Sequence, residues 1–400
     1  MFRSRSRAAR AGRGPRFRRV TAVGAAVGAL ALVAAACAPP PPPPAGSPTL
    51  GVSQVVGGLS VPWDVAWLPD KTLLFTQRAS GLYALKNGLP VQLTNGGPDF
   101  WTASETGMMG LVVDPQFATN HKVYTCQGST ADSPIGGHPN SAKVAAWQLD
   151  ANVTTATHLY DVVTGIDDTS GRHGGCQLRF GSDRSLFVGT GDAAYGTNPQ
   201  NLHSLNGKVL RVQPDHVNAG WVTNPFRASS DPRTRMIYTY GHRNVQGLAF
   251  RSNGELWSAE HGPDRDDEIN RLRAGDNYGW DPIPLTYNEA VPMTNFGKYP
   301  GAAGPQWKSG FPTVATSGIT FLSGAQWKQW QGALVVATLK DSRLRVQFYT
   351  DLGIFRGEKI PAQFDRTVGR LRAAAEGPDG CLYVTTSNVT NDRILKACPS

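Results

Sequence analysis

Short apolar runs, each closed by turn residues, recur along the chain, and no long stretch spaces its apolar positions with the helical period of 3.6. Six runs share one form: Leu73-Leu74-Phe75, Val123-Tyr124-Thr125, Leu186-Phe187-Val188, Leu256-Trp257-Ser258, Leu334-Val335-Val336 and Leu382-Tyr383-Val384. Each follows a turn such as Pro69-Asp70-Lys71, Gly181-Ser182-Asp183 or Ser252-Asn253-Gly254. Before each turn comes another short run, as at Gly247-Leu248-Ala249-Phe250. β-Branched and aromatic runs bounded by Gly, Pro and Asp predict strand-turn-strand units. The runs begin 50, 63, 70, 78 and 48 residues apart, which at each step accommodates a four-stranded sheet with loops of varying length. Six such sheets around an axis make an all-β, six-bladed β-propeller with four-stranded antiparallel blades. A two-sheet sandwich also uses short strands, but it gives no reason for so regular a repeat. Residues 51–400 are also long for one ordinary core, a limit that repeat architectures escape.

Residues 1–36 stand apart. They carry eight Arg and no acid, followed by the uncharged run Val20 to Ala36 and then Ala34-Ala35-Ala36-Cys37. This basic, apolar, small-residue order is that of a secretory signal. Cys37 after the small residues resembles a bacterial lipobox, with Ala34 where Leu is usual; Cys37 would be lipidated and become the mature N-terminus. Ordinary cleavage after Ala-x-Ala, giving a freely secreted protein, and retention of the apolar run as an anchor are the alternatives. Arg18-Arg19 fits twin-arginine export poorly. Residues 37–50, with Pro39 to Pro44, read as a stiff tether. The expected location is therefore outside the cytoplasm, with membrane attachment by a lipid anchor alone. Without the eight leading Arg, 31 basic residues face 30 acidic ones, so the net charge of +9 falls to +1 and nucleic acid is not an expected partner. None of the five Cys lies in a Cys-x-x-Cys pair. Cys381–Thr386 and Arg393–Cys398 can pair as antiparallel strands that set Cys381 opposite Cys398, within reach of a disulfide. Cys126 and Cys176 are left either as a second disulfide or as free thiols.

Candidate chemistry falls at one level of the repeat. Counting back from the last residue of each first strand, His173 lies seven before Phe180 and Arg243 seven before Phe250. Glu105 lies eight before Val113 and Thr313 eight before Phe321, while Arg370 and Arg372 lie six and four before Glu376. Inner propeller strands run side by side, so equal offsets predict a ring of these side chains at one mouth of the central channel. Singly, a His beside glycines is a turn residue and an Arg entering a strand is a solvated edge; the shared level is what marks a site. Gly-x-Ser-x-Gly and His-Glu-x-x-His are absent, and Gly189-Thr190-Gly191 lacks the third glycine and the helix of a dinucleotide fingerprint.

Over roughly residues 55–390 the sequence resembles the soluble PQQ-dependent glucose/sorbosone (aldose sugar) dehydrogenases. The resemblance rests on Pro62-Trp63-Asp64, Glu105 to Gly110, His173-Gly174-Gly175, Leu205 to Arg211, Gly241 to Phe250 and Glu260-His261-Gly262-Pro263. It continues through Asp267 to Asn270, Asn277 to Trp280, Pro312-Thr313, Leu339-Lys340 and Gly369 to Arg372. It implies a six-bladed quinoprotein domain over 51–400 that oxidises an aldose-type sugar at C1 to the lactone, with hydride passing to PQQ and electrons to an external acceptor. His173 then matches the general base and Arg243 the cation that stabilises the reduced quinone. Glu105, Asn244, Phe311, Thr313, Lys340, Arg370 and Arg372 match cofactor positions. The resemblance also implies Ca²⁺, held through the main-chain carbonyls of Gly262 and Pro263, with Glu268 and the carbonyl of Tyr278 at a second, structural calcium. Arg172, Phe311 and His261 depart from residues found in some relatives (Asp, Trp and Gln), so the sugar is not fixed by the resemblance. The rival readings are an exported binding module that has lost the cofactor and a calcium-dependent sugar-lactone hydrolase. Joint retention of His173, Arg243, Asn244, Lys340, Arg370 and Arg372 argues against both.

Overall fold

A computed structural model describes residues 46–131, 139–283 and 285–400. The expectations for residues 1–36 and for Cys37 lie outside these. Six antiparallel sheets follow one another in chain order. The inner strands are Pro62–Trp67, Met108–Val113, Gln177–Phe180, Val245–Phe250, Thr316–Phe321 and Leu371–Glu376. Each packs beside the next, and the last packs against the first, closing a ring around the axis. The molecule is a six-bladed β-propeller. The second blade departs from four strands: the short Phe100–Trp101 strand adds to Lys122–Ser129 beside Met108–Val113.

Alternating strand positions explain the packing. Apolar side chains from each pair of neighbouring blades interdigitate as a separate core. Val123, Trp147, Leu74 and Leu82 share one between the first two blades, and Trp257, Ile269, Ile319 and Val336 another between the fourth and fifth. Six modest cores thus replace one oversized one. Near the axis the inner strands come closer than side chains permit. At Gly247 a Cβ would stand 2.4 Å from the carbonyl oxygen of Ser317 on the next inner strand.

Two features point to one end of the channel. In five of the six blades, all but the third, the pairing between inner and second strand slips near the start of the inner strand. Such irregularities re-aim side chains and end pairing. The residues just before the inner strands, where the ring was expected, are at that end. The sixth blade is closed by both chain ends, Leu50–Leu59 pairing with Asp392–Pro399. Leu382 opposes Ala397 in the last hairpin, which sets Cys381 across from Cys398, and the two are bonded with Cα atoms 4.5 Å apart. Cys126 and Cys176 are also bonded, tying the second blade to the start of the third.

Candidate active site

The loop Gly171–Gly175 enters the inner strand of the third blade and carries His173 at the channel mouth. His173 is buried with φ 59°, a left-handed conformation costly for any residue with a side chain. Contacts at its main chain and at Nδ1 hold it, the Tyr287 hydroxyl also lying 3.0 Å from Nδ1. Its main-chain N–H donates to Glu105 Oε1 at 2.5 Å, and its Nδ1 lies 2.7 Å from Asp192 Oδ1. Asp192 follows the second strand of the same blade. Gly191 before it permits the approach, since a Cβ there would lie 1.7 Å from the His173 carbonyl oxygen.

Asp192 is fully buried, and its Oδ2 accepts from the indole of Trp280 (2.8 Å) and the hydroxyl of Tyr287 (2.6 Å). Burial alone would raise its pKa, but the charges of His173 and Arg243 and the Tyr287 bond hold it below the ordinary value. A carboxylate at Nδ1 fixes the ring proton there and leaves Nε2 as a lone pair. Nε2 has no hydrogen-bond partner among the described residues. The pair can therefore take a proton from a hydroxyl brought to Nε2.

A hydrogen-bonded chain crosses the mouth from here. Glu105 Oε2 accepts from Asn244 Nδ2 (3.0 Å) and Gln246 Nε2 (3.1 Å), and Gln246 Oε1 accepts from Arg372 Nη1 (3.1 Å). The Arg372 guanidinium stacks 3.6 Å from the ring centre of Trp63, close to Asp64, Gln177 and Arg179. Side chains of all blades but the fifth are thereby joined. Burial favours the neutral form of Glu105, yet His173, His261 and the Asn244 bond keep its pKa below the usual range. Burial, against Glu105 but aided by Arg370 and Arg78, pushes Arg372 down to about 9. Burial, again opposed by Glu105 and aided by Arg243 and Arg372, pushes His261 down to about 3, so its imidazole is neutral.

Arg243 is buried, and its Nη1 donates to the His261 carbonyl (3.0 Å) while Nε and Nη2 hold Glu289 Oε1 (2.8 and 2.6 Å). On the neighbouring rim Lys340 Nζ donates to Thr313 Oγ1 at 3.1 Å. Asp267 ties this rim to the Gly262-Pro263 turn. It accepts from the N–H of Gly262 through one oxygen and from those of Val314 and Ala315 through the other. Phe311 is 77% exposed and Arg370 is exposed. Both therefore stand at the rim outside the bonded chain, although the charge of Arg370 reaches Arg372.

At the mouth, the buried atoms His261 Nε2, Arg372 Nε and Arg78 Nε find no partner among the described residues. Orphaned groups under a rim of Arg78, Arg370, Arg372 and Lys340 suit a polar, polyanionic ligand such as a tricarboxylate quinone. The calcium residues fit less uniformly. The carbonyls of Gly262 and Pro263 accept no hydrogen bond from the described residues, which leaves them free for a hard cation. Glu268 accepts from Thr294 Oγ1 (2.9 Å) and Asn270 Nδ2 (3.3 Å), and burial followed by the charge of Glu260 pushes it up to about 8. The Tyr278 hydroxyl donates to the Arg271 carbonyl (2.7 Å), and its ring stacks on His242. Among the described residues no three His, Cys, Asp or Glu side chains form a metal cluster.

Residues 59–396 match the family model described as Glucose / Sorbosone dehydrogenase. The chain belongs to the glucose/sorbosone dehydrogenase family. It is 30% identical to the aldose sugar dehydrogenase of Escherichia coli over 88% of this chain and 93% of that protein. The apo-form crystal structure of the soluble E. coli aldose sugar dehydrogenase superposes with a TM-score of 0.75 at 27% identity, covering 88% of this chain and all of that one. The PQQ-bound form of an aldose sugar dehydrogenase from Streptomyces coelicolor gives 0.70 at 27% identity, covering 90% of this chain and all of that one.

This glucose/sorbosone dehydrogenase family member uses residues at its mouth that the sequence reading passed over. Gln246 lies two residues beyond Asn244 and donates to its Oδ1 at 3.0 Å, but it sits in the pairing slip between Val245 and Gly247, which no spacing announces. Asp192 follows a second strand as His173 precedes an inner one, so extending the level rule to second strands finds it. Arg78 follows the second strand of the first blade in the same way, and its guanidinium donates to the Ser104 carbonyl. Tyr287 and Glu289 sit in the long connection between Leu272 and Trp307, where no repeat or motif marks them.

Proposed function

We propose that the protein is a PQQ-dependent sugar dehydrogenase that oxidises an aldose at C1 to the lactone and hands the electrons to an external acceptor. The observation that carries this reading is the convergence of His173, oriented by Asp192, with buried Arg243 and Arg372 at one mouth. PQQ, when bound, supplies the acceptor for the hydride leaving C1. Arg372, Arg370, Lys340 and Arg78 would hold its carboxylates, with Asn244, Gln246, Thr313 and the His261 imidazole beside them. Phe311 would serve as a wall at the rim. His173 Nε2 takes the proton of the C1 hydroxyl, and Asp192 stabilises the imidazolium that results. Arg243 presents positive charge where negative charge grows. The free carbonyls of Gly262 and Pro263 would take one calcium. Glu268 and Tyr278 would serve a second, which would relieve the crowding of Glu260 and Glu268. Export through residues 1–36 and lipidation at Cys37 would place the domain on the outer face of the cell membrane, with free secretion as the alternative.

The direct test is a PQQ titration followed by absorbance, with and without calcium, then turnover of an aldose panel with an artificial acceptor. Saturable uptake that calcium strengthens, followed by turnover, is expected. Uptake with no turnover across the panel would overturn the dehydrogenase reading in favour of a binding module. Asp192→Asn offers a finer check: the amide can hold the wrong tautomer of His173, so kcat is expected to fall about 10²- to 10⁴-fold with KM little changed. Steady-state kinetics on the loaded variant would show it.

A further inference from the structure

Glu289 is the unexplained group at the mouth. Its Oε1 holds Arg243 through Nε and Nη2, and its Oε2 holds Arg172 Nη2 at 2.7 Å. Arg172 directly precedes His173, and its guanidinium lies 5.2 Å from the ring centre of Tyr287, whose hydroxyl bonds Asp192. Side-chain exposure falls along this line, from 47% at Arg172 through 22% at Glu289 to 5% at Arg243. A plus–minus–plus series thus runs from solvent to the interior beside the proton-accepting imidazole. Glu289 belongs to the long fourth-blade connection, whereas both guanidinium groups belong to loops that build the mouth.

We infer that Glu289 is a specificity-determining residue: its carboxylate keeps Arg172 and Arg243 occupied, so the site takes neutral aldoses and rejects acidic sugars such as uronates. This rests on the sugar-dehydrogenase reading above. The reasoning is electrostatic. Without Glu289, the half-exposed Arg172 guanidinium and the freed Nε and Nη2 of buried Arg243 would capture a carboxylate in bidentate fashion. With Glu289 present, an incoming carboxylate must displace a tethered one and meets its charge, whereas neutral hydroxyls need displace nothing. A purely structural clasp would instead affect all sugars alike.

The test pairs D-glucose with D-glucuronate and D-galactose with D-galacturonate. Each uronate is measured as substrate and as competitive inhibitor of the neutral sugar, using PQQ-loaded wild type, Glu289→Gln, Arg172→Gln and the double variant. Glu289→Gln is expected to favour the uronate over its neutral partner about tenfold, the scale of one charge-assisted contact, and added salt should shrink that gain. The double variant should lose most of it. If Glu289→Gln fails to fold or to take up PQQ, Arg172→Gln carries the test, because freeing one Glu289 oxygen toward solvent should weaken uronate binding several-fold. An unchanged acidic-to-neutral preference in whichever variant loads PQQ overturns the inference alone. Failure of the wild type to take up PQQ would overturn the parent reading, and this one with it.

Discussion

His173→Ala is expected to lower turnover by about 10³-fold or more while the fold survives, since the variant removes the imidazole proposed as the base. The main-chain bond to Glu105 stays, because it uses the His173 N–H. Alanine bears the same left-handed backbone, so no strain is released. Asp192 loses one donor but keeps Trp280 and Tyr287, so the buried carboxylate costs about 1–3 kcal/mol, a shift of a few degrees in Tm. Initial rates and thermal melts on the PQQ-loaded variant read the two effects separately. Turnover above a tenth of wild type would remove His173 from the role of base.

The largest effect on stability is expected from the double change Cys126→Ala, Cys176→Ala. The bond spans 50 residues and both sulfurs are buried, and the chain-entropy relation gives about 4 kcal/mol for a loop of that length. Position matters as much as size. Cys126 sits on the second strand of the second blade and Cys176 is three residues past His173, so the bond pins the end of the loop that presents the imidazole. The variant should therefore unfold at lower urea and also lose kcat. Removing Cys381–Cys398 spans 17 residues at the far edge of the sixth blade, and it should cost about 3 kcal/mol with kcat untouched. Equal loss of kcat in both variants would mean that general loosening, and not the loop, is responsible.

The blade count was legible because one hairpin, inner strand to second strand, is nearly the same in every repeat. The outer strands were not. Trp307–Lys308 has two residues at the end of a long connection, and Phe100–Trp101 is too short to leave an alternating pattern. The pairing of Leu50–Leu59 with the last strand is non-local, and no periodicity within either segment announces it. At the mouth, His173, Glu105, Arg243 and Arg372 could be placed by offset because each is fixed to an inner strand. Phe311 came from the resemblance alone, and its exposed ring stands at the rim, outside the bonded chain. Tyr287 and Glu289 reach the site through tertiary folding of an irregular segment, so neither motif nor spacing could reveal them.

The joining of Leu50–Leu59 to Asp392–Pro399 sets the order in which the molecule can be made. Most blades can stack on their neighbours in chain order, but the ring stays open until the final strand meets a partner some 340 residues earlier in the chain. Until that moment the inner strands of the first and sixth blades lack each other, and the rim cannot bring Trp63 under Arg372. A chain clipped at its start would leave the sixth blade with three strands, and one clipped at its end would also leave Leu50–Leu59 without a partner, both beside the inner strand that carries Arg372.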